Sequence, residues 1–188
     1  MPVIQIHVME GYGDDAKARL ATALTDAARL VVPAPADAVT VMVQEVAPSG
    51  YMRGRKHRTP APALPDPVGI IRAFLGAMEA RDLETARSFL GAGFQMKFPG
   101  TGAMTTLEEL IEWSKPRYRF VQKTYEGFDA MQSEGEAAIV YARGTLSGEW
   151  LDGEAFSGIR FIDRFELIGG KITKQDVWND MAEVKAKT

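Results

Sequence analysis

The sequence predicts an α+β protein in two parts: a small β–α–β unit, then a cone-shaped domain of helices packed on a curved antiparallel sheet. Three observations carry that prediction. Within the first 46 positions apolar residues alternate, then recur every three or four residues, then alternate again. A run without periodicity follows, Thr59-Pro60-Ala61-Pro62-Ala63-Leu64-Pro65-Asp66-Pro67, which reads as an extended, semi-rigid spacer. Beyond it helical stripes come first and long alternating stretches come after, the order of a sheet curled around helices. The expected boundaries are 1–55 for the first domain, 56–66 for a basic then Pro/Ala-rich linker, and 67–188 for the second domain.

In Val3–Met9, Ile4, Ile6 and Val8 share one face while Gln5 and His7 share the other, the period of a strand. From Asp14 to Val32, Leu20, Ala23, Leu24, Ala27, Ala28 and Val31 make a narrow apolar stripe. Asp14 and Asp15 suit the positive end of that helix, and Pro33 and Pro35 forbid its continuation. Val39, Val41 and Val43 alternate again through Val46. A strand, helix and strand of these lengths make a right-handed crossover with parallel strands.

Past the spacer, Asp66 is placed to cap a helix with Pro67 at its first position, where a missing N–H costs nothing. Val68, Ile71, Phe74, Leu75 and Met78 form its stripe. Asp82 restarts a helix through Leu83, Ala86, Phe89 and Leu90. Phe94–Phe98 reads as a short strand ending at Pro99-Gly100, and Thr106 with Glu109 has capping-box spacing ahead of Leu110, Ile111 and Trp113. Four strands follow at Tyr125–Gln132, Ala137–Leu146, Ala155–Leu167 and Lys171–Trp178, with turns at Ser133–Glu136 and Gly169-Gly170.

Composition narrows the chemistry. The 188 residues are 46% hydrophobic, ordinary for globular packing, and no apolar run approaches the roughly 20 residues of a membrane span. Zero cysteines exclude disulfides, thiolate catalysis and cysteine-held zinc. Two histidines, His7 and His57, are too few and too far apart for a histidine metal site, so neither metal nor other cofactor is expected. A net charge of −3 gives no electrostatic push toward nucleic acid. Without a signal-peptide pattern, the expectation is a cytoplasmic protein acting on a small molecule.

One terminal residue adds chemistry. Proline follows the initiator methionine, a context in which cells commonly remove that methionine, leaving Pro2 as a free secondary amine at a strand end. An α-amino group titrates at roughly 7.7–8.0 and is lowered by desolvation or a nearby cation, which suits general base catalysis near neutrality. The segment from Pro2 to Tyr51 resembles the 4-oxalocrotonate tautomerase family in Pro2, Glu10-Gly11 after the first strand, the helix, the second strand and Ser49-Gly50-Tyr51. The resemblance implies a catalytic Pro2 and assembly into trimers or hexamers, in keeping with a unit too small to bury much surface alone.

The segment also departs from the family. Arginines that bind substrate carboxylates there are replaced by Tyr12 and Thr40, and an aromatic phenylalanine by Tyr51. A dicarboxylate clamp is therefore not expected. Arg53-Gly54-Arg55-Lys56-His57-Arg58 holds four fixed positive charges in six residues. Arg53 or Arg55 is a candidate for the lost cations near Pro2, Tyr12 for a hydrogen bond to an enolate, and a solvated linker start is the alternative for the whole run.

The second domain resembles the nuclear transport factor 2-like superfamily, with its SnoaL-like cyclases, in the paired helices Val68–Met78 and Leu83–Leu90, the Phe98-Pro99-Gly100 corner and the strand Gly158–Glu166. In that strand Asp163 shares a face with Ile159, Phe161, Phe165 and Leu167, while Arg160, Arg164 and Glu166 face the other way. A carboxylate on an apolar face is a candidate acid or base; a buried structural aspartate is the alternative. Trp113, Tyr118, Phe120, Trp150 and Trp178 are candidate pocket walls, with Trp113 and Trp178 the substrate-contacting choices, and Asp176 and Asp180 are expected in solvent. Three functions follow: a tautomerase-type isomerase using Pro2, cyclase- or isomerase-type chemistry at Asp163, or non-catalytic binding with the first unit serving assembly.

Overall fold

A computed structural model describes residues 1–186, which fall into two compact units divided between Ala63 and Leu64. In the first, β1 (Val3–Met9) leads to α1 (Asp14–Arg29) and β2 (Thr40–Val46), and the two strands pair in parallel from Val3 opposite Thr40 to Met9 opposite Val46. Helix α1 stops three residues earlier than the stripe predicts. The residue before a proline is pushed out of helical geometry, and Leu30 and Val31 lie in solvent instead of extending the stripe. Ile4, Ile6, Val41 and Val43 are half-covered, whereas Val3, Gln5, His7, Thr40, Met42 and Gln44 form an open sheet face. No side chain in residues 1–63 is fully buried.

The basic run is folded. Met52–Arg53 (β3) and Lys56–His57 (β4) pair antiparallel, with Gly54 at φ +61 and Arg55 at φ +62. Two successive left-handed residues make the tight hairpin turn whose twist matches its strands. Lys56 and His57 therefore belong to a hairpin of the first unit, not to a linker.

The second unit begins with α2 (Pro67–Glu79) and α3 (Leu83–Ser88). Asp66 accepts hydrogen bonds from the Val68 and Gly69 amides at 3.1 and 3.0 Å, and Asp82 accepts from Thr85 at 3.0 Å. Then come β5 (Leu90–Lys97), α4 (Leu107–Ser114), β6 (Tyr118–Gln132), β7 (Ala138–Trp150), β8 (Ala155–Ile168), β9 (Lys171–Asn179) and α5 (Met181–Lys185). The expected capping box closes α4, with Thr106 and Glu109 each accepting from the other's backbone. The sheet runs β5-β9-β8-β7-β6, antiparallel except for the β5–β9 edge.

Its curvature has a local cause. The β6–β7 ladder slips between Tyr118 and Phe120 and between Tyr125 and Gly127. Gly148 and Gly144 of β7 face those slips, where an added Cβ would lie 2.2 and 1.9 Å from the Phe120 and Thr124 carbonyl oxygens. Bulges opposite glycines bend a sheet. The inner face then holds a core of Ile71, Phe74, Phe94, Met96, Val140, Phe165, Leu167 and Ile172 under α2. A second cluster of Leu146, Trp150, Phe156, Ile159 and Phe161 is closed by Met181 of α5.

Candidate functional site

Pro2 stands at the head of β1, half-exposed, and its carbonyl accepts the Thr40 amide at 3.0 Å. Parallel strands start at the same end of a sheet, so Thr40 is Pro2's neighbour. For the same reason the other first-domain candidates are at the far end. Glu10 N–H donates to Val46 at 3.0 Å, and Gly11 (φ +129) then turns the chain into Tyr12. Tyr51 and the hairpin leave from that end too, since the short helical turn Pro48–Gly50 follows Val46 directly. A seven-residue strand spans roughly 23 Å at about 3.3 Å per residue, and a hairpin this short reaches back about 8 Å. Within one chain, therefore, Pro2 and Thr40 sit together while Tyr12, Tyr51, Arg53 and Arg55 do not join them. The expectation that the basic turn lies near Pro2 fails inside a single copy.

In the second unit Asp163 is fully buried on the apolar face with Ile159, Phe161, Phe165 and Leu167. Its partner is Lys123, whose ammonium meets Oδ2 and lies 4.5 Å from the centre of the Phe161 ring. Gln175, also buried, donates to the same oxygen from 3.5 Å. Oδ1 is buried with no hydrogen-bond partner, and so is the Tyr125 hydroxyl. Tyr125 packs against Phe128 and, edge-on, against Phe161, with ring centres 5.1 and 5.9 Å apart. Burial first, then the negative charges of Glu79 and Asp163, push its phenol well above the ordinary tyrosine range, against a weaker pull from Arg72. Tyr125 is thus a neutral donor across all physiological pH.

Lys123 and Tyr125 are absent from the sequence-derived candidates. Their signal was the alternation of Val121, Lys123 and Tyr125 along β6, which carries a lysine onto an inward face. The polar residues around them, Arg119, Gln122 and Glu126, hid the first half of that strand.

The proposed aromatic wall does not form. Trp150 is core, 4.3 Å from Phe156; Trp113 lies against Phe98 at 5.2 Å with the Arg117 guanidinium over its ring at 4.3 Å. Phe120 and Trp178 are about half exposed, at 47% and 54%. Trp178 pairs with Ile162 on the outer face, in an open groove of about 790 Å³ with Lys97, Phe98 and Arg160. The strand period decides this: Trp178 is one residue out of phase with inward-facing Val177. Asp176, expected in solvent, is 14% exposed and held by Lys174 and Arg164 at 3.0 and 3.5 Å, whereas Asp180 is partly open beside Arg160 at 2.7 Å. Among the described residues no three His, Asp or Glu side chains gather as a metal-holding group, and no helix is long and apolar enough to cross a membrane.

A proline at the head of a parallel β–α–β unit, followed by a small hairpin, is the arrangement expected of one family. Residues 2–57 match the family of tautomerase enzymes. Outside this tautomerase segment the likeness is to solved structures. A nuclear transport factor 2-like protein of unknown function from Burkholderia pseudomallei is 17% identical, with 64% of this chain and 95% of that one covered at a TM-score of 0.54. A nuclear transport factor 2-like protein from Burkholderia thailandensis is 16% identical over 65% and 96% of the two chains at 0.52. A proposed SnoaL-like polyketide cyclase from Jannaschia is 20% identical over 69% and 95% at 0.50. The structural likeness, not the low identity, shows the fold of the second unit to be nuclear transport factor 2-like. No curated protein matches the chain.

Proposed function

We propose that this protein is a tautomerase-type isomerase in which Pro2, freed of Met1, moves a proton on an enol or α-keto small molecule. The observation that carries this reading is the match beginning at residue 2, with Pro2 half-open at the sheet end beside Thr40. The neutral proline nitrogen takes the proton from an enol hydroxyl, electrons fall back to form the carbonyl, and the prolinium returns the proton to carbon. Atoms balance without any co-reactant.

The site is composite. Pro2 and Thr40 come from one copy, and Tyr12, Tyr51 and the Arg53–Arg55 turn come from another, in an oligomer of three or six chains. Arg53 and Arg55 then hold the substrate's anionic end, the work that guanidinium groups do well. The open face of Val3, Met42 and their neighbours and the lack of any fully buried side chain in residues 1–63 support assembly of this unit.

Untagged protein should weigh one methionine residue less than the full translation and should ketonise phenylenolpyruvate. Pro2→Ala should lower kcat/KM by about 100-fold or more, as loss of a general base does. Mixing Pro2→Ala with Arg53→Ala/Arg55→Ala, each inactive alone, should restore activity after subunit exchange. A retained Met1, or a Pro2→Ala enzyme as active as wild type, would end the reading; failure of the mixture alone would end only the composite clamp.

A further inference from the structure

We propose that the first unit carries a binding site for a phosphomonoester, in the cleft between its Pro48–Gly50 turn and the chain leaving the hairpin, on the side away from Arg53. The site uses none of the residues assigned to proton transfer and holds whether or not Pro2 is a base.

The hairpin register sets its two sides apart. Met52 faces His57 and Arg53 faces Lys56 across the ladder. Directly opposed residues share a face and their chain neighbours take the other. Arg53 and Lys56 therefore point one way and His57 the other. On the His57 side lies an open cleft of about 530 Å³, lined by Pro48, Ser49, His57, Arg58 and Thr59. Both walls are tied down. The turn is closed by the Gly50 and Tyr51 amides, which donate to the Ala47 and Pro48 carbonyls at 2.8 and 3.3 Å. Just past Thr59, Pro60 packs so closely on Gly11 that a Cβ added there would lie 3.1 Å from the proline Cγ.

The chemistry of the guest follows from what the lining holds. It supplies two hydroxyls, a ring N–H and a guanidinium fork, and no carboxylate. Among the described residues, none of these four polar side chains has a hydrogen-bond or ion-pair partner, and Arg53, Arg55 and Lys56 beside them are unpaired too. Basic side chains elsewhere are neutralised: Arg143, Arg160, Arg164 and Lys174 each meet a carboxylate. Uncompensated positive charge around a cleft of unspent donors selects an anion. Shape then chooses among anions. A carboxylate is planar, and the Arg58 fork alone satisfies both its oxygens. A phosphate carries a further oxygen out of that plane, for which the Ser49 and Thr59 hydroxyls remain. The volume lies within the range of small-molecule clefts and leaves room for an organic body against Pro48.

Isothermal titration calorimetry of the full chain with phenyl phosphate tests the assignment, with benzoate as the planar comparator. The expected result is saturable binding of phenyl phosphate, with benzoate weaker by about tenfold or more because donors are left unpaired. Arg58→Gln should weaken phenyl phosphate by about tenfold or more and Ser49→Ala by about threefold or more, while Arg53→Gln on the other face stays within about twofold of wild type. Ser49, Arg53 and Arg58 are all exposed, so these variants should fold. No saturable heat up to about 10 mM, or benzoate binding as tightly as phenyl phosphate, would overturn the site. Arg53→Gln as damaging as Arg58→Gln would also overturn it, moving the anion to the proton-transfer clamp and leaving that reading intact. So would a short oligodeoxythymidylate that displaces phenyl phosphate and is weakened equally by both arginine variants, the mark of a nucleic-acid surface.

Discussion

Replacing Lys123 by methionine and Asp163 by valine should have sharply unequal effects on stability. Asp163 has no exposed surface, Oδ1 has no partner, and apart from Lys123 its one hydrogen bond is the 3.5 Å contact from Gln175. Lys123→Met therefore strands a carboxylate among Phe161, Phe165, Ala142 and Val177, and removing one member of a buried pair costs about 3–5 kcal/mol. The converse change is mild, because Lys123 already reaches solvent and its flexible stem can carry the ammonium to water. Valine also suits a strand. Asp163→Val should cost less than about 1 kcal/mol, and the double variant should match it rather than the sum. Urea titration followed by tryptophan fluorescence reads this unit selectively, since Trp113, Trp150 and Trp178 all lie in it. With a slope near 2 kcal/mol/M, Lys123→Met should lower the midpoint by about 2 M. A Lys123→Met midpoint within about 0.5 M of wild type, or an Asp163→Val loss as large as that of Lys123→Met, would refute the reasoning that the lysine exists to hold a trapped carboxylate.

Other outcomes follow from single features. Gly144→Ala drives a Cβ to 1.9 Å from the Thr124 carbonyl oxygen; backbone cannot yield as a flexible side chain does, so a loss of about 4 kcal/mol or more, or insoluble protein, is expected on expression and urea melts. Thr106→Ala removes the hydroxyl that accepts the Glu109 amide at 3.2 Å and should cost about 1 kcal/mol in thermal unfolding. Burial raises the Tyr125 phenol above its ordinary value of 10.0, so the folded state holds a proton that the unfolded state releases. Its contribution is complete below pH 10 and is lost as pH rises above that; Tyr125→Phe should flatten the alkaline limb of stability against pH measured by urea titration.

The parts of this fold that local chemistry decides were legible. Asp66 and Thr106 cap the helices they were expected to cap, and Asp82 begins the helix it was expected to begin, because a capping side chain needs only amides two or three residues away. The burial of Asp163 was legible for a similar reason: strand alternation fixes a face regardless of tertiary detail. Its partner was not legible, since Lys123 is 40 residues away in sequence and meets it across β7 through a register set by two bulges. The basic hairpin was hidden by Arg55, an arginine at a positive φ where turn signals favour glycine or asparagine. Trp178 was misplaced because an aromatic near the end of a strand signals apolar surface but not which side of the sheet it takes.

The two units solve the problem of stability differently, and that difference bears on where chemistry can reside. Leu64 onward contains the whole buried core, so an ion pair and an unpartnered phenol are tolerable there: packing around Phe74, Phe165 and Ile172 supplies the stability that buried polar groups subtract. The first unit has no such reserve. Its two strands carry one helix on one side and a bare face on the other, and an isolated two-stranded sheet is marginal in water. In the proposed assembly, the association that stabilises the unit would also bring a far-end hairpin to a near-end proline, so that folding and site assembly would be one event. Under the proposed assembly, isomerase activity and the stability of residues 1–63 should rise and fall together with protein concentration, measured by activity and urea titration over a dilution series.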